Sequence, residues 1–233
     1  MSRVHLLELA DMRNSLKPVE SKALSIVHAL NEDADSPVAG KIKIRDDQND
    51  HWITNVQLKG LIEPRLSQKG VLAAKSIETA SAILRDYLNA VKETWKDIWE
   101  GDRKSYVLTW AIGFDVIFGI FAKIIGFCDL YENRTYTTES FQRQLQQLVG
   151  LSLEFPELGT ISLNWENETF RRLNNTAGKK DLIGLINLKL AQIDEVRLSG
   201  SVMELNPESE AEESDESSPD ENEEDASDSD ELQ

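Results

Sequence analysis

Residues 106–131 read YVLTWAIGFDVIFGIFAKIIGFCDLY, and this run limits the folds open to the chain more than any other stretch. A segment that is apolar on every side has to be covered all round, by protein or by lipid. It is long enough to cross a bilayer. Asp115 and Lys123 lie well inside it, however, and each charge at mid-membrane costs about 2.5–3.5 kcal/mol on insertion scales. Gly113 and Gly119 lower its helix propensity, a weaker objection because glycine is common in membrane helices. The expectation is a buried helix inside a helical bundle, with no membrane span. Asp115 then needs a polar partner or a place at the core edge.

A buried helix needs amphipathic neighbours, and the flanking sequence supplies them. Ile77, Ala80, Leu84, Tyr87, Leu88, Val91, Trp95, Ile98 and Trp99 recur at spacings of three and four, predicting one helix from Ile77 to Trp99, stopped by Gly101. Asp86, Lys92, Glu93 and Lys96 fall off that stripe, so the rings are expected to pack inward. Base stacking would call instead for aromatics interleaved with basic residues on an open surface. Upstream, Pro18 suits the first turn of a helix carrying Ala23, Ile26, Val27 and Leu30, and a further helix is expected before Pro18. KIKIR alternates like a half-buried strand, and WIT is placed to pair with it across DDQNDH. Downstream, Thr138 is the expected cap of a helix turning Phe141, Leu145 and Leu148 inward. GTISLNW reads as a short strand or an extended connector, and ENETFRRL as a brief amphipathic turn or helix. A last helix is expected from about Asp181 into the 190s, with Leu182, Leu185, Ile186, Leu190 and Ile193 as its stripe.

Charge separates a folded part from a tail. The formal net charge is −17, but residues 207–233 hold 14 of the 42 acidic residues and no Lys or Arg. The remainder sets 28 acidic against 25 basic residues and is nearly neutral. The tail has almost no apolar surface to offset the entropy of ordering, and its charges repel one another. The expected organisation is a mainly α domain (α+β, with a minor β element) over residues 1–200, followed by a disordered acidic tail over 207–233. Ser209, Ser217, Ser218 and Ser227 each precede an acidic residue by three, the pattern of acidophilic phosphorylation in a eukaryotic host. One cysteine, Cys128, fits a reducing compartment, no signal peptide is legible, and the expected location is cytoplasmic.

No reacting constellation emerges. His5, His28, His51 and Cys128 share no metal-site spacing, G-x-S-x-G is absent, and the lone thiol lies in an apolar helix where burial raises its pKa. No cofactor is expected, and the chain reads as a non-enzyme. NNTAGKKDL resembles a phosphate loop, but Leu173 and Lys180 stand where the Walker pattern needs Gly and Ser or Thr. What remains is a Gly-Lys-Lys turn opening a helix, with Arg171, Arg172, Gly178, Lys179 and Lys180 as candidate anion-binding residues. An ordinary solvated surface turn is the competing reading.

Three segments carry a family resemblance. Ala29, Leu30, Asn31, Asp33, Asp35, Ser36 and Pro37 lie in an Asn/Asp-rich Ser-Pro turn closing a helix. Tyr87, Ala90, Val91, Lys92 and Trp95 lie in the amphipathic helix, and Leu108, Thr109 and Gly113 in the apolar one. In order and character these resemble the C-terminal region of DGQHR-domain proteins, a family that includes DndB-like proteins linked to DNA phosphorothioation. The resemblance covers about residues 20–130, and more loosely 160–190. The defining Asp-Gly-Gln-His-Arg motif is absent; RDDQNDH, Arg45–His51, shares letters with it but lacks the Gly. The resemblance implies a binding or regulatory module associated with DNA-modification or phage-defence systems, acting through a protein partner. Direct nucleic-acid binding is disfavoured by a near-neutral domain and an acidic tail. One half of a split DGQHR-type ATPase or DNA-handling enzyme, or a truncated gene product, remain the alternatives.

Overall fold

The computed structural model describes residues 18–44, 50–156 and 158–204. The acidic segment 207–233, and the helix expected before Pro18, lie outside the described residues. The described residues up to Ala191 belong to one compact unit, and those from Gln192 to Glu204, which are helical, to a second.

The elements in order are α1 (Pro18–Glu32), β1 (Ile42–Lys43), β2 (Ile53–Thr54), α2 (Asn55–Leu66), α3 (Ile77–Thr94), α4 (Lys96–Trp99) and α5 (Ala111–Tyr131). Then follow α6 (Thr138–Leu145), a 3-10 turn (Gln146–Leu148), β3 (Ser152–Phe155), β4 (Gly159–Ser162), α7 (Asn167–Arg171) and α8 (Thr176–Glu204). The fold is mainly helical with two small two-stranded sheets, as the periodicities imply.

The apolar run forms α5, whose buried face includes Phe114, Phe118, Phe121, Ile124 and Phe127. By length and composition it could cross a membrane, a property that core helices share; 67% of its most apolar window is buried inside the protein. The surrounding helices are α2, packed on α5, and α6, packed on both α5 and α3, with α1 against α2 and α3. Asp115 finds the partner it needs in Lys179, Oδ2 to Nζ 2.6 Å, which ties α5 to the start of α8.

Tyr87 shows how the stripe of α3 is used. Its ring meets Phe121 and Phe141 edge-on at 4.8 and 5.4 Å, and its hydroxyl donates to the carbonyl of Ile117 at 2.6 Å. The rings of the predicted stripe pack into the core, each against rings from other segments, and Trp95 and Trp99 are each only 5% exposed.

The turn after α1 is docked on α3 by polar contacts. Arg85 pairs with Asp33 at 3.2 Å, and the Asn89 amide donates to the Asp35 carbonyl at 3.0 Å. The Asp33 carboxyl is held below its usual range by the Asp35 backbone N–H and then by Arg85. The Asn31 side chain accepts from the Ile42 N–H at 3.1 Å and so sets the start of β1. Asp33, Asp35 and Asn31 thus hold this turn against α3 and the start of β1.

Four local expectations change. The helix predicted over Ile77–Trp99 breaks at Trp95, whose φ of −124° and ψ of 48° leave the helical region. The break lets Trp95 meet Trp165 edge-on at 5.4 Å while Trp99 meets Trp52 at 5.3 Å. The strands from KIKIR and WIT do pair, but in parallel, Ile42 with Ile53 and Lys43 with Thr54. Thr137 rather than Thr138 caps α6, accepting from the Ser140 N–H. Helix α8 starts at Thr176, five residues before the expected Asp181.

Candidate functional site

The corner between α7 and α8 gathers the polar groups that the sequence singled out. Its strands are β3 and β4, antiparallel with Leu153 opposite Ile161, and the chain then turns through Trp165 into α7. Trp165 is fully buried with a φ of +60°, a left-handed conformation that costs a bulky residue about 1–3 kcal/mol. Neighbouring bonds hold it there. Its carbonyl accepts from the Val107 N–H at 2.9 Å, and the Asn167 N–H donates to the Ser105 carbonyl at 2.7 Å. The Asn167 side-chain amide adds a bond to the Lys104 carbonyl at 2.9 Å. Phe170 then stacks on Trp165, centroids 5.5 Å apart and 16° from parallel.

Beyond α7, Leu173 is buried and Asn175 opens α8. The Asn175 side-chain oxygen accepts from the Gly178 N–H at 2.9 Å, satisfying one of the unpaired amides of the first turn. Gly178 is required by a close approach, since a Cβ there would lie 2.9 Å from backbone atoms of Leu173. An Asn at this spacing before a helix is a readable cap signal, and it would have placed the helix start correctly.

Of the five candidate anion-binding residues, Lys179 is paired with Asp115. Lys180 is exposed at the start of the second turn of α8. Arg172 and Gly178 line one cleft of about 380 Å³, with Phe155, Leu173, Asn175 and Asp181 among its walls. Arg172 also borders a cleft of about 290 Å³ along β4, together with Glu166 and Glu168. Arg171 lies elsewhere, in a cleft of about 340 Å³ between α7 and the start of α5. The two adjacent arginines therefore face different concavities. The residues that sequence reasoning missed are Trp110, Asn167, Phe170 and Asn174, which share the Arg171 cleft. Nothing in their spacing announces this, because Trp110 arrives from a distant segment.

Elsewhere the chemistry is quiet. Burial pushes the Cys128 thiol up to about 12, so it behaves as a small hydrophobe in α5. Among the described residues, no group of three or more His, Cys, Asp and Glu could hold a metal ion. The arrangement at the corner can bind; it offers charge, amides and apolar walls without an activated nucleophile or a paired acid and base. No protein-family model, curated protein or solved structure matches this chain.

Proposed function

We propose that this chain is a non-catalytic binding or regulatory module that acts through a protein partner, in the DNA-modification or phage-defence setting implied by the family resemblance. The observation that carries the partner is on α8. Past Ala191, in the second unit, Val196 is an apolar residue left 72% exposed. Val196 is the uncovered apolar side chain on which this reading rests, and a partner seated on it would take it out of water. Direct DNA binding has no part in this reading, because the domain is near neutral and phosphate contact draws on clustered basic charge. A cytoplasmic setting follows from the same reading.

The test is co-purification. The full chain, co-expressed with a DGQHR-motif protein encoded beside a DNA-modification system, is expected to retain that protein through affinity purification and gel filtration. Val196→Glu is expected to lose it without lowering the thermal midpoint. A wild-type chain that emerges alone, or a variant that retains the partner equally, would overturn the reading.

A further inference from the structure

The cleft holding Arg171 has the features of a preformed ligand site. Its apolar walls are Val107, Trp110, Ile112 and Phe170; three are buried and Trp110 is half-buried. Its polar groups are Arg171, Asn167 and Asn174. The floor is fixed from below. Phe170 is stacked on Trp165, Trp165 is wedged edge-on against Trp95, and backbone bonds to Val107 and Ser105 clamp both ends of the turn. A bulky residue held at φ +60° beneath a cleft is strain of the kind that persists where surroundings over-determine a site.

The polar complement is one-sided. The Arg171 guanidinium has no partner among the described residues, and neither has the Asn174 side chain. The Asn167 amide nitrogen is committed to Lys104, which leaves its oxygen as an acceptor. No carboxylate lines this cleft, in contrast to the neighbouring one bordered by Glu166 and Glu168. Its volume lies near the small end of the 300–1,000 Å³ typical of ligand pockets. That suits a body of one or two rings. We propose that this cleft binds a small aromatic carboxylate, the ring lying against Trp110 and the Val107–Ile112 wall and the carboxylate meeting Arg171. A hydroxyl or amine on the ligand would find the Asn167 oxygen. The guanidinium fork matches a carboxylate in two parallel hydrogen bonds, which gives the site its preference for planar anions.

The proposal is tested on the full chain by NMR titration with phenylacetate, with phenylacetamide as the uncharged control. The five Trp indole signals are followed, and Trp110 is assigned through Trp110→Phe. The expected result is a saturating shift of the Trp110 signal by phenylacetate. Binding should be roughly tenfold weaker for phenylacetamide and for Arg171→Gln, the loss of one charge-assisted contact. Lys180→Gln should leave it unchanged. Three results would each overturn the proposal: no saturating shift at Trp110, equal binding of acid and amide, or equal losses in Arg171→Gln and Lys180→Gln. The acid-amide comparison on the wild-type chain decides the matter even if a variant folds poorly.

Discussion

In the bundle, Tyr87 is buried among Phe121 and Phe141, and its hydroxyl is satisfied by a carbonyl on the facing helix. In the α7 corner, Trp165 is buried as deeply but stands in a left-handed turn, and its indole N–H has no acceptor among the described residues. The first ring is placed by helix periodicity. The second is placed by backbone bonds from a distant segment, at the cost of strain. Regular packing leaves little free to bind, whereas the corner keeps unpaired polar groups at its rim. The difference separates a part that sustains the fold from a part able to meet a ligand.

The sharpest way to break this contrast is to remove the bundle ring. Tyr87→Ala should destabilise by about 3–5 kcal/mol, since it leaves a cavity and removes the hydroxyl's bond to the Ile117 carbonyl. Tyr87→Phe should cost only about 0.5–1.5 kcal/mol, the net value of one hydrogen bond. Urea unfolding of both reads the two components. Equal losses would mean that the hydrogen bond, rather than the ring, anchors α3.

Glycines along α5 give a second graded comparison. A Cβ at Gly113 would lie 2.1 Å from the Leu108 carbonyl oxygen, so Gly113→Ala should cost about 1–3 kcal/mol. Nothing lies within 4 Å of a Cβ at Gly126, and Gly126→Ala should stabilise by about 0.4–1 kcal/mol. Opposite shifts in thermal midpoint are expected.

Smaller again is the tie between α5 and α8. Asp115 and Lys179 are roughly 30% exposed, and Lys179→Met should cost about 1 kcal/mol or less, shrinking further in high salt. Alkali adds a test of burial. Burial raises both the Cys128 thiol and, with Asp129, the Tyr136 phenol to about 12 in the folded state, above their ordinary values of 9.0 and 10.0. The neutral forms are favoured by folding, so their contribution is complete below about pH 9 and lost as pH rises towards 12. Stability from urea midpoints should fall across that window, and a thiol reagent at pH 8 should label Cys128 only as the chain unfolds.

How much was legible follows the same division. Leu84, Tyr87, Leu88 and Val91 are buried as their spacing requires, and so are Phe141, Leu145 and Leu148. Helix faces are local facts, carried by residues three and four apart. The break at Trp95 was not legible, because what turns the chain there is its contact with Trp165, far along the sequence. The course of the chain into β1 is fixed by Asn31, whose backbone and side-chain oxygens accept from the N–H groups of Gly40 and of Ile42, the first strand residue. DDQNDH by itself suggested only a connection. Thr137 and Thr138 are chemically equal, so only the observed fold could choose between them. At the corner, the arginines were visible in sequence but their divergence was not, since adjacent side chains are steered apart by what each one meets.

Gly119 is also the place where α8 docks on α5. The space over this glycine is filled by Ile183, whose side-chain atoms lie 2.6–2.9 Å from where a Cβ would sit. The Asp115–Lys179 bond beside it joins positions 64 residues apart. Contacts that close so long a loop reward the chain only after α5 has neighbours to hold it. Helix α8 is then expected to seat late in folding and to leave early in unfolding, like a latch. Ile183→Val should speed unfolding and leave the folding rate almost untouched. A substitution that slowed folding instead would place α8 in the nucleus, and the last helix would have to be counted among the first.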